Sequence, residues 1–449
     1  MKILLVGSGA REHAILKALK NSKYNPEVTV FGKTKNPGIL ALCNNFEIGN
    51  IEDLSLYQGI IQKYNPEFAI LGPDNPIGIG AADELLKFGI KSFGPLKVLA
   101  QLESSKSFTR DLVAKYNIEG NPKFKIFNPE NQSEIESYID SELQGEYVVK
   151  YDGLIGGKGV KVSGEHLKTV QEGVDYAIEC ISEGGKVVLE EKFIGPEFSL
   201  ISLTDGNILA PTPVIQDHKR AYNNDLGPNT GGMGTFSDAN HLLPFVTEQD
   251  RQDALVLTEK VLAALKQETG QTYIGVMYGG FIKTKNGVRL IEFNARFGDP
   301  EAMNIFNLLE SDFVSVVESC INGTLNPAQV TFKNLASVCV YVVPKGYPDQ
   351  ALAETDKQMT LDKKVFNLPG LDICFASVDF ISENENEYVL NLTSSRAIAF
   401  TSTGLTITEA REKALHAINF VSGNISFRTD IGSQELIQAK IDLVNSFNT

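Results

Sequence analysis

Strands and helices alternate along the first hundred residues, and this alternation restricts the fold more than any other feature of the chain. Residues 3–6 are a continuous apolar run of the kind that buried parallel strands show, and residues 28–31 and 68–71 are predicted to be further strands. Helical patterns follow at residues 12–19 and 82–88. Together these segments predict a doubly wound α/β domain.

The rest of the chain predicts a central α+β region and a smaller, mostly β terminal region. Within residues 123–194, strands are expected at Tyr147–Tyr151 and Val160–Val162, on either side of a glycine-rich loop. Further on, residues 373–380 are expected to form one strand. A chain of 449 residues is long enough for about three domains. We predict domains at residues 1–102, 103–326 and 327–449, with a mobile lid at 123–194.

Residues 292–301 carry the strongest chemical signal, and they read Glu-Phe-Asn-Ala-Arg-Phe-Gly-Asp-Pro-Glu after a β-branched apolar stretch. Side chains two positions apart share one face of a strand, so Glu292, Asn294 and Arg296 are expected to project together. Mg²⁺ accepts such hard oxygen ligands beside nucleotide phosphates, and a guanidinium suits a carboxylate or an acyl phosphate. The trio therefore predicts ATP-dependent activation of a carboxylate. Asp299, placed before Pro300, is expected to cap a helix instead.

Residues 7–12, Gly-Ser-Gly-Ala-Arg-Glu, lie between a predicted strand and a predicted helix, where backbone N–H groups can bind phosphate. The third glycine of a dinucleotide fingerprint is replaced by Glu12, and no acid ends the second strand. A nicotinamide dehydrogenase is therefore disfavoured. A phosphate-monoester site and a merely tight turn both remain open, and Arg11 and His13 slightly favour the phosphate.

Two further glycine-rich segments indicate loops that close over a ligand. Residues 153–159 carry four glycines and one lysine, but Gly159 stands where a P-loop needs a hydroxyl, and a strand follows. Four glycines cost backbone entropy, which favours a flap around a triphosphate over a plain surface hairpin. Residues 227–234, after Gln-Asp-His-Lys-Arg at 216–220, indicate a substrate loop or a ligand-free Ω-loop.

Composition excludes several classes of protein. The net charge of −15 disfavours a nucleic-acid binder. The five cysteines are widely spaced and form no Cys-x-x-Cys motif, so a disulfide framework or a zinc site is not expected. No apolar run reaches membrane-spanning length, and the N-terminal apolar run is too short for a signal sequence. We expect a cytoplasmic protein with reduced thiols.

These segments together resemble the ATP-grasp carboxylate–amine ligases, and among them most closely the phosphoribosylamine–glycine ligase family of purine biosynthesis. The resemblance covers the full length of the chain. In the C-terminal part it rests on Gly346-Tyr347-Pro348, Arg396 and residues 427–432. It implies a Rossmann-like N-terminal domain, an ATP-grasp central domain and a small, mostly β C-terminal domain. It also implies the ligation of glycine to 5-phosphoribosylamine with ATP, through glycyl phosphate.

The resemblance further implies ATP and Mg²⁺ or Mn²⁺ as cofactors, and it assigns a role to individual residues. The ATP phosphates are expected to contact Lys106, Lys150, Gly156, Gly157, Lys158 and Gly159. Adenosine is expected at Glu190, Phe193 and Glu197, and the metal at Glu292 and Asn294. Asp217 and Arg296 are expected to hold the charged ends of glycine, and with Lys150 they form the expected catalytic set. Further substrate contacts are expected from Gly9, Arg11, Gly72, Pro73, Asp74, Lys219, Gly231, Gly232 and Met233.

Other interpretations remain. The sequence departs from the family pattern at residues 32–38, and Asp74 replaces the more usual glutamate. The departure at residues 32–38 slightly favours an ATP-grasp ligase for another acid or amine, whereas Asp217 and the motif at residues 227–234 count against that alternative. A non-catalytic nucleotide-binding protein is disfavoured because Glu292, Asn294 and Lys150 are all present. The expected partners are small molecules only, with no nucleic acid or membrane, and the expected state is a monomer or weak homodimer.

Overall fold

The N-terminal region is a parallel sheet with helices, as the sequence predicts. The structure is a computed structural model that describes residues 1–154 and 159–447. All neighbouring strands of the first sheet are parallel, in the order Asn45–Ile48, Glu27–Gly32, Lys2–Val6, Phe68–Leu71 and Lys91–Phe93. Strand order reverses beside the first strand, which is where open α/β sheets form their ligand crevice. The helices of this region are Ala10–Lys20, Pro37–Leu42, Ser55–Tyr64, Asp74–Ile79 and Ala81–Lys87.

Two helices, Lys97–Ser104 and Lys106–Lys115, lead into a small unit with its own core. Its antiparallel sheet has the order Phe124–Phe127, Val187–Glu191, Tyr147–Tyr151 and Val160–Val162. The helices Ile135–Ser141 and Val170–Gly184 cover this sheet. Its buried apolar side chains form a cluster separate from the main core, so this unit, which spans the predicted lid, packs on its own.

The central sheet is antiparallel and carries the Glu-x-Asn segment on an outer strand. Its order is Leu209–Pro211, Glu197–Thr204, Gly275–Thr284 and Gly287–Asn294. The helices Glu248–Thr269 and Phe313–Asn322 pack against it, whereas the helix Glu301–Leu308 packs against strands of the C-terminal region. Among the described residues, no helix combines the length and the apolarity needed to cross a membrane.

The C-terminal region contains two sheets, and the first recruits strands from the central part of the chain. That sheet has the order Gln216–Asp217, Gly234–Ser237, Ala336–Pro344, Ile398–Gly404 and Leu371–Phe375, with Ile425–Ser426 also paired to Ala336–Pro344. The second has the order Val378–Glu383, Glu387–Leu392, Gln358–Asp362 and Val421–Gly423. A hairpin of Arg220–Tyr222 and Leu226–Asn229 and the helices Ile407–Ile418 and Gln434–Ser446 complete the region.

The single strand predicted at residues 373–380 is wrong. The chain forms two strands there, Leu371–Phe375 and Val378–Glu383, and they belong to different sheets. Between them, Ala376 N–H donates to Ala397 O at 2.8 Å and Ser377 N–H donates to Arg396 O at 3.0 Å. These two residues therefore still lie beside the segment that leads into the strand Ile398–Gly404, before the chain enters the second sheet. An apolar run alone does not reveal such a switch between sheets, because both halves keep strand-like composition.

His13 joins the N-terminal and C-terminal regions and does not line the cavity described below. Its Nδ1 accepts a hydrogen bond from Phe375 N–H at 3.0 Å, and the two rings stack. Asn36 supports the same contact by donating to Phe375 O at 2.7 Å. The interpretation of His13 as a signal for phosphate binding is therefore wrong.

The histidine contact makes a testable contribution to stability. Burial, reinforced by Lys17, lowers the pKa of His13 well below its ordinary value. The folded protein therefore keeps His13 neutral, whereas the unfolded chain takes up a proton near pH 6.5. This stabilisation is complete above pH 6.5 and is lost as the pH falls toward the lowered folded value. Between pH 7.5 and pH 5.5, the wild type should lose more free energy of unfolding than His13→Asn, by up to about 1.4 kcal/mol.

Urea unfolding of each protein at the two pH values measures this difference. Asparagine keeps an acceptor for Phe375 N–H, so the comparison isolates the titration of the ring. His416→Asn removes a solvent-exposed histidine and should keep the wild-type pH dependence. Equal losses in the wild type and in His13→Asn would show that the buried ring does not contribute.

Candidate active site

One cavity of about 610 Å³ lies where the N-terminal region, the lid, the central sheet and the C-terminal region meet. Its volume is typical of small-molecule sites. It is lined by these predicted residues: Arg11, Asp74, Lys106, Lys150, Gly159, Glu197, Asp217, Lys219, Gly231, Glu292, Asn294 and Arg296. The remaining predicted residues that the structure describes do not line it: Gly9, Gly72, Pro73, Glu190, Phe193, Gly232 and Met233. Gly156, Gly157 and Lys158 lie outside the described residues.

Glu292 and Asn294 lie at the end of the strand Gly287–Asn294, and both face the cavity with Arg296 just beyond them. A bulge precedes them, because Glu292 pairs with Gly280 whereas Leu290 pairs with Phe281. The extra residue is Ile291, whose carbonyl is used elsewhere in the site. Burial would raise the pKa of the Glu292 carboxyl, but surrounding cations lower it to about 2: Lys219, Lys106, Lys150 and Arg296.

Arg296 is held in place by the buried carboxylate of Glu103, a residue for which no role was predicted. Its Nη2 lies 3.0 Å from Glu103 Oε1 and donates to Asn294 Oδ1 at 3.2 Å, while Nη1 donates to Phe297 O at 3.2 Å. Glu103 Oε2 in turn accepts from Ala295 N–H at 2.8 Å. Burial opposes the guanidinium charge, but Glu103 and Asp74 keep the pKa of Arg296 above its ordinary value. Its Nε is buried and has no partner among the described residues.

Glu190 forms a buried ion triad with Arg110 and Lys150, whereas the sequence predicts that it contacts adenosine. Its carboxylate accepts from Arg110 Nε and Nη2 at 2.7 and 2.8 Å, and Lys150 Nζ lies 2.9 Å away. Both cations also donate to Ile291 O, Arg110 at 2.6 Å and Lys150 at 2.9 Å. Burial opposes ionisation, but Arg110 and Lys150 keep the pKa of Glu190 below its ordinary value. The triad joins the lid strand, the helix Lys106–Lys115 and the strand that bears Glu292.

Asp217 faces a second acidic residue across the cavity. Its Oδ1 is buried and has no hydrogen-bond partner among the described residues. Burial and the nearby carboxylate of Glu301 raise the pKa of Asp217 well above its ordinary value. Glu301 Oε1 accepts from the hydroxyl of Tyr278 at 2.6 Å. A Cβ on Gly232, which has φ +109°, would lie 2.7 Å from Asp217 Oδ1, so this glycine makes room for the carboxylate.

The Asp299 prediction needs correction. The helix begins at Glu301 with Pro300 as its cap residue, one position later than expected. The carboxylate of Asp299 accepts from the hydroxyl of Tyr341 at 2.6 Å and lies 3.3 Å from Arg396 Nη1. It therefore anchors the C-terminal region to the end of the Glu-x-Asn segment.

The N-terminal turn already contains a carboxylate. Glu12 Oε2 accepts from Gly9 N–H at 2.7 Å, and Glu12 Oε1 accepts from Arg11 Nε at 2.6 Å. A Cβ on Gly72 would lie 2.2 Å from Glu12 Oε1, so Gly72 also accommodates this side chain. An acid that accepts at a helix N-terminus satisfies the same groups that would bind a phosphate. The amide of Gly9 is therefore not available to a substrate in this conformation.

The chain is similar to known proteins along its full length. Residues 1–103, 104–302 and 337–434 match the models described as the N domain, the ATP-grasp (A) domain and the C domain of phosphoribosylglycinamide synthetase. The phosphoribosylamine–glycine ligase of Methanocaldococcus jannaschii is 44% identical over 99% of both chains. That of Methanosarcina barkeri is 43% identical over 98% of both. A crystal structure of the Thermotoga maritima ligase covers 96% of this chain and 100% of its own, with 29% identity and a TM-score of 0.77.

The buried triad gives a prediction that separates structural charges from surface charges. Arg110→Met leaves Glu190 buried with Lys150 as its one remaining cation, so we expect a loss of about 3–5 kcal/mol in the free energy of unfolding. Lys115→Met, on the same helix, removes an exposed partner of Glu268 and should change stability little. Denaturant unfolding of both variants tests this, and similar small losses would contradict the structural role of the triad.

Proposed function

Because the chain belongs to the phosphoribosylglycinamide synthetase family, we propose that it ligates glycine to 5-phosphoribosylamine and forms glycinamide ribonucleotide, ADP and phosphate. One observation carries the proposal beyond the family. The structure brings Glu292, Asn294 and Arg296 into the same cavity as Asp217 and Lys150. A metal-type oxygen pair, an anion-binding fork and a free carboxylate are the groups that activation of an amino acid requires.

The residues present fit a nucleotide-bound divalent ion, Mg²⁺ or Mn²⁺. Among residues 1–154 and 159–447, no group of three or more His, Cys, Asp and Glu side chains could hold a metal alone. Glu292 and Asn294 offer two oxygens, and the low pKa of Glu292 keeps its carboxylate ionised at neutral pH. Phosphate oxygens of ATP would complete the coordination. The bound ion would neutralise charge on the transferring phosphoryl group.

For the adenosine part of ATP, we propose backbone contacts after the strand Val187–Glu191, with Phe193 beside the base and Glu197 near the ribose. The Glu190 carboxylate is engaged by Arg110 and Lys150, so it would position this segment and Lys150 instead of touching the base. Lys106 donates to Gly153 O at 3.1 Å, at the start of the glycine-rich flap, and would reach the phosphates from there.

We propose that Asp217 binds the ammonium of glycine and Arg296 its carboxylate. A glycine carboxylate oxygen takes the terminal phosphoryl group of ATP, with release of ADP. The amine nitrogen of phosphoribosylamine then attacks the carbonyl carbon, a C–N bond forms, and phosphate leaves with the electrons of the C–O bond. The nitrogen releases one proton to solvent. Lysines around Glu292 favour the first step because they stabilise developing negative charge. An enclosing cavity protects glycyl phosphate from water.

The compartment belongs to the proposal as well. All five cysteines are unpaired, and four of them are buried. This pattern supports a reducing compartment, and we place the enzyme in the cytoplasm.

The test is ADP release measured for each candidate amino acid, with phosphoribosylamine generated in situ. We expect glycine to give the highest kcat/KM, and product mass should equal that of glycinamide ribonucleotide. A higher kcat/KM with another amino acid, or with another amine, would assign the chain to a ligase of different specificity.

Glu292→Gln tests the metal role with little change in side-chain volume. We expect turnover to fall on the order of 100-fold or more, because an amide cannot replace the charge of a metal-binding carboxylate. The thermal midpoint should remain close to that of the wild type. Glu259→Gln, on an exposed face of the helix Glu248–Thr269, should retain full turnover. Near-normal turnover of Glu292→Gln across a Mg²⁺ titration would refute the assignment.

A further inference from the structure

Arg396 presents a guanidinium whose two sides have different surroundings. Its Nη1 donates to the carbonyl oxygens of Gly231, Gly232 and Asp299 at 2.8, 2.9 and 2.9 Å. The group also lies over the ring of Tyr341, 4.5 Å from the centroid. By contrast, Nε and Nη2 donate no hydrogen bond to any residue in the described part of the chain. The side chain is 15% exposed and lines the cavity, so it is anchored on one side and open on the other.

The open side has the shape of an anion receptor. The Nε and Nη2 groups of an arginine form a planar fork that matches two oxygens of a carboxylate or a phosphate. Three carbonyl contacts and a ring hold the fork, so little side-chain freedom remains to be lost when a ligand binds. A guanidinium that only packed against neighbouring residues would not need two N–H groups left open toward the cavity.

Gly231 keeps the approach to this fork open. A Cβ at position 231 would lie 3.1 Å from Nη2 and 3.2 Å from Cζ of Arg396. Gly231 does not have a positive φ, so its backbone conformation is one that other residues also adopt. Glycine at this position is therefore explained by the space needed beside Arg396, and not by the backbone conformation of the loop.

The anion that Arg396 binds can be identified by elimination, because the other anionic groups of the substrates have proposed sites elsewhere. Under the proposed function, the ATP phosphates lie beside Glu292 and the lysines, and the glycine carboxylate lies at Arg296. The N-terminal turn already holds the carboxylate of Glu12, which accepts from Gly9 N–H and repels a second anion. Resting on that proposed function, we propose that the Nε–Nη2 fork of Arg396 binds the phosphate monoester of phosphoribosylamine.

Arg396→Lys tests the fork directly. A lysine ammonium can keep the charge and some of the carbonyl contacts, but it has no second pair of parallel N–H groups. We expect the KM for phosphoribosylamine, and the Kd for the stable probe ribose 5-phosphate measured by calorimetry, to rise about 10- to 100-fold. The KM values for ATP and glycine should stay within about twofold. Gly231→Ala should raise the same two constants without removing any charge.

Two further experiments show which phosphate group Arg396 binds. Glycine-dependent scrambling of the β,γ-bridging oxygen of ATP, without the amine substrate, reports formation of glycyl phosphate. It should be unchanged in Arg396→Lys, and its loss would place the fork at the acyl phosphate or nucleotide and overturn the proposal. If Arg11→Lys weakens ribose 5-phosphate more than Arg396→Lys does, the phosphate binds at the N-terminal turn and the proposal is also overturned.

Arg411→Lys is the matched control. Arg411 lies on the helix Ile407–Ile418, outside the cavity, and donates to Thr429 O. It should leave all constants unchanged. An unchanged Kd for ribose 5-phosphate in Arg396→Lys would refute the proposal. Failure of the proposed function would give a different result, because the wild-type protein would then release no glycine-dependent ADP. Comparing the binding of ribose 5-phosphate with that of ribose would still show whether Arg396 binds a phosphate.

Discussion

The ion triad of Glu190, Arg110 and Lys150 is the interaction on which the rest of the site depends. Three charges are buried together, and each is tolerated only because the other two are present. Both cations also share the carbonyl of Ile291, the extra residue of the bulge that precedes Glu292. The lid sheet, the helix Lys106–Lys115 and the strand Gly287–Asn294 are therefore fixed relative to one another by a single charged cluster. The cluster also sets the position of the Lys150 ammonium in the cavity.

The surroundings of the cavity carboxylates give them opposite tendencies. Cations around Glu292 lower its pKa to about 2, so it stays ionised. Burial and the carboxylate of Glu301 raise the pKa of Asp217, so that group gains most from a cation brought by the substrate. Such separation of neighbouring acids is a usual way for one site to give them different roles. Two acidic side chains of one cavity thus acquire different charge preferences through their neighbours, which suits the metal-binding and ammonium-binding roles proposed for them.

The sequence predicts local structure well and long-range partners poorly. Tyr147–Tyr151 and Val160–Val162 are strands with the predicted ends, because apolar alternation between turn residues is a local signal. The convergence of Glu292, Asn294 and Arg296 on one cavity follows from strand geometry. The partners of Glu190 and His13 could not be predicted in this way, because Arg110 and Phe375 lie far away in sequence and a buried charge pair leaves no periodic pattern. Glu12 differs, because it accepts from Gly9 N–H three residues earlier, which is a local pattern at the start of a helix. Adjacent acids after a strand look the same whether they are solvated or paired.

The side of the cavity that contains Asp217 and Arg396 is built by two parts of the chain that are separate in sequence. Gln216–Asp217 and Gly234–Ser237 are strands of the C-terminal sheet, although the chain around them belongs to the central region. The loop between them carries Lys219 and Gly231, and Arg396 fixes its carbonyl groups from the opposite side. Asp299 joins the same contact from the end of the Glu-x-Asn segment. The C-terminal region therefore helps to shape the cavity, because its sheet includes the strand Gln216–Asp217 and its Arg396 holds the glycine-rich loop.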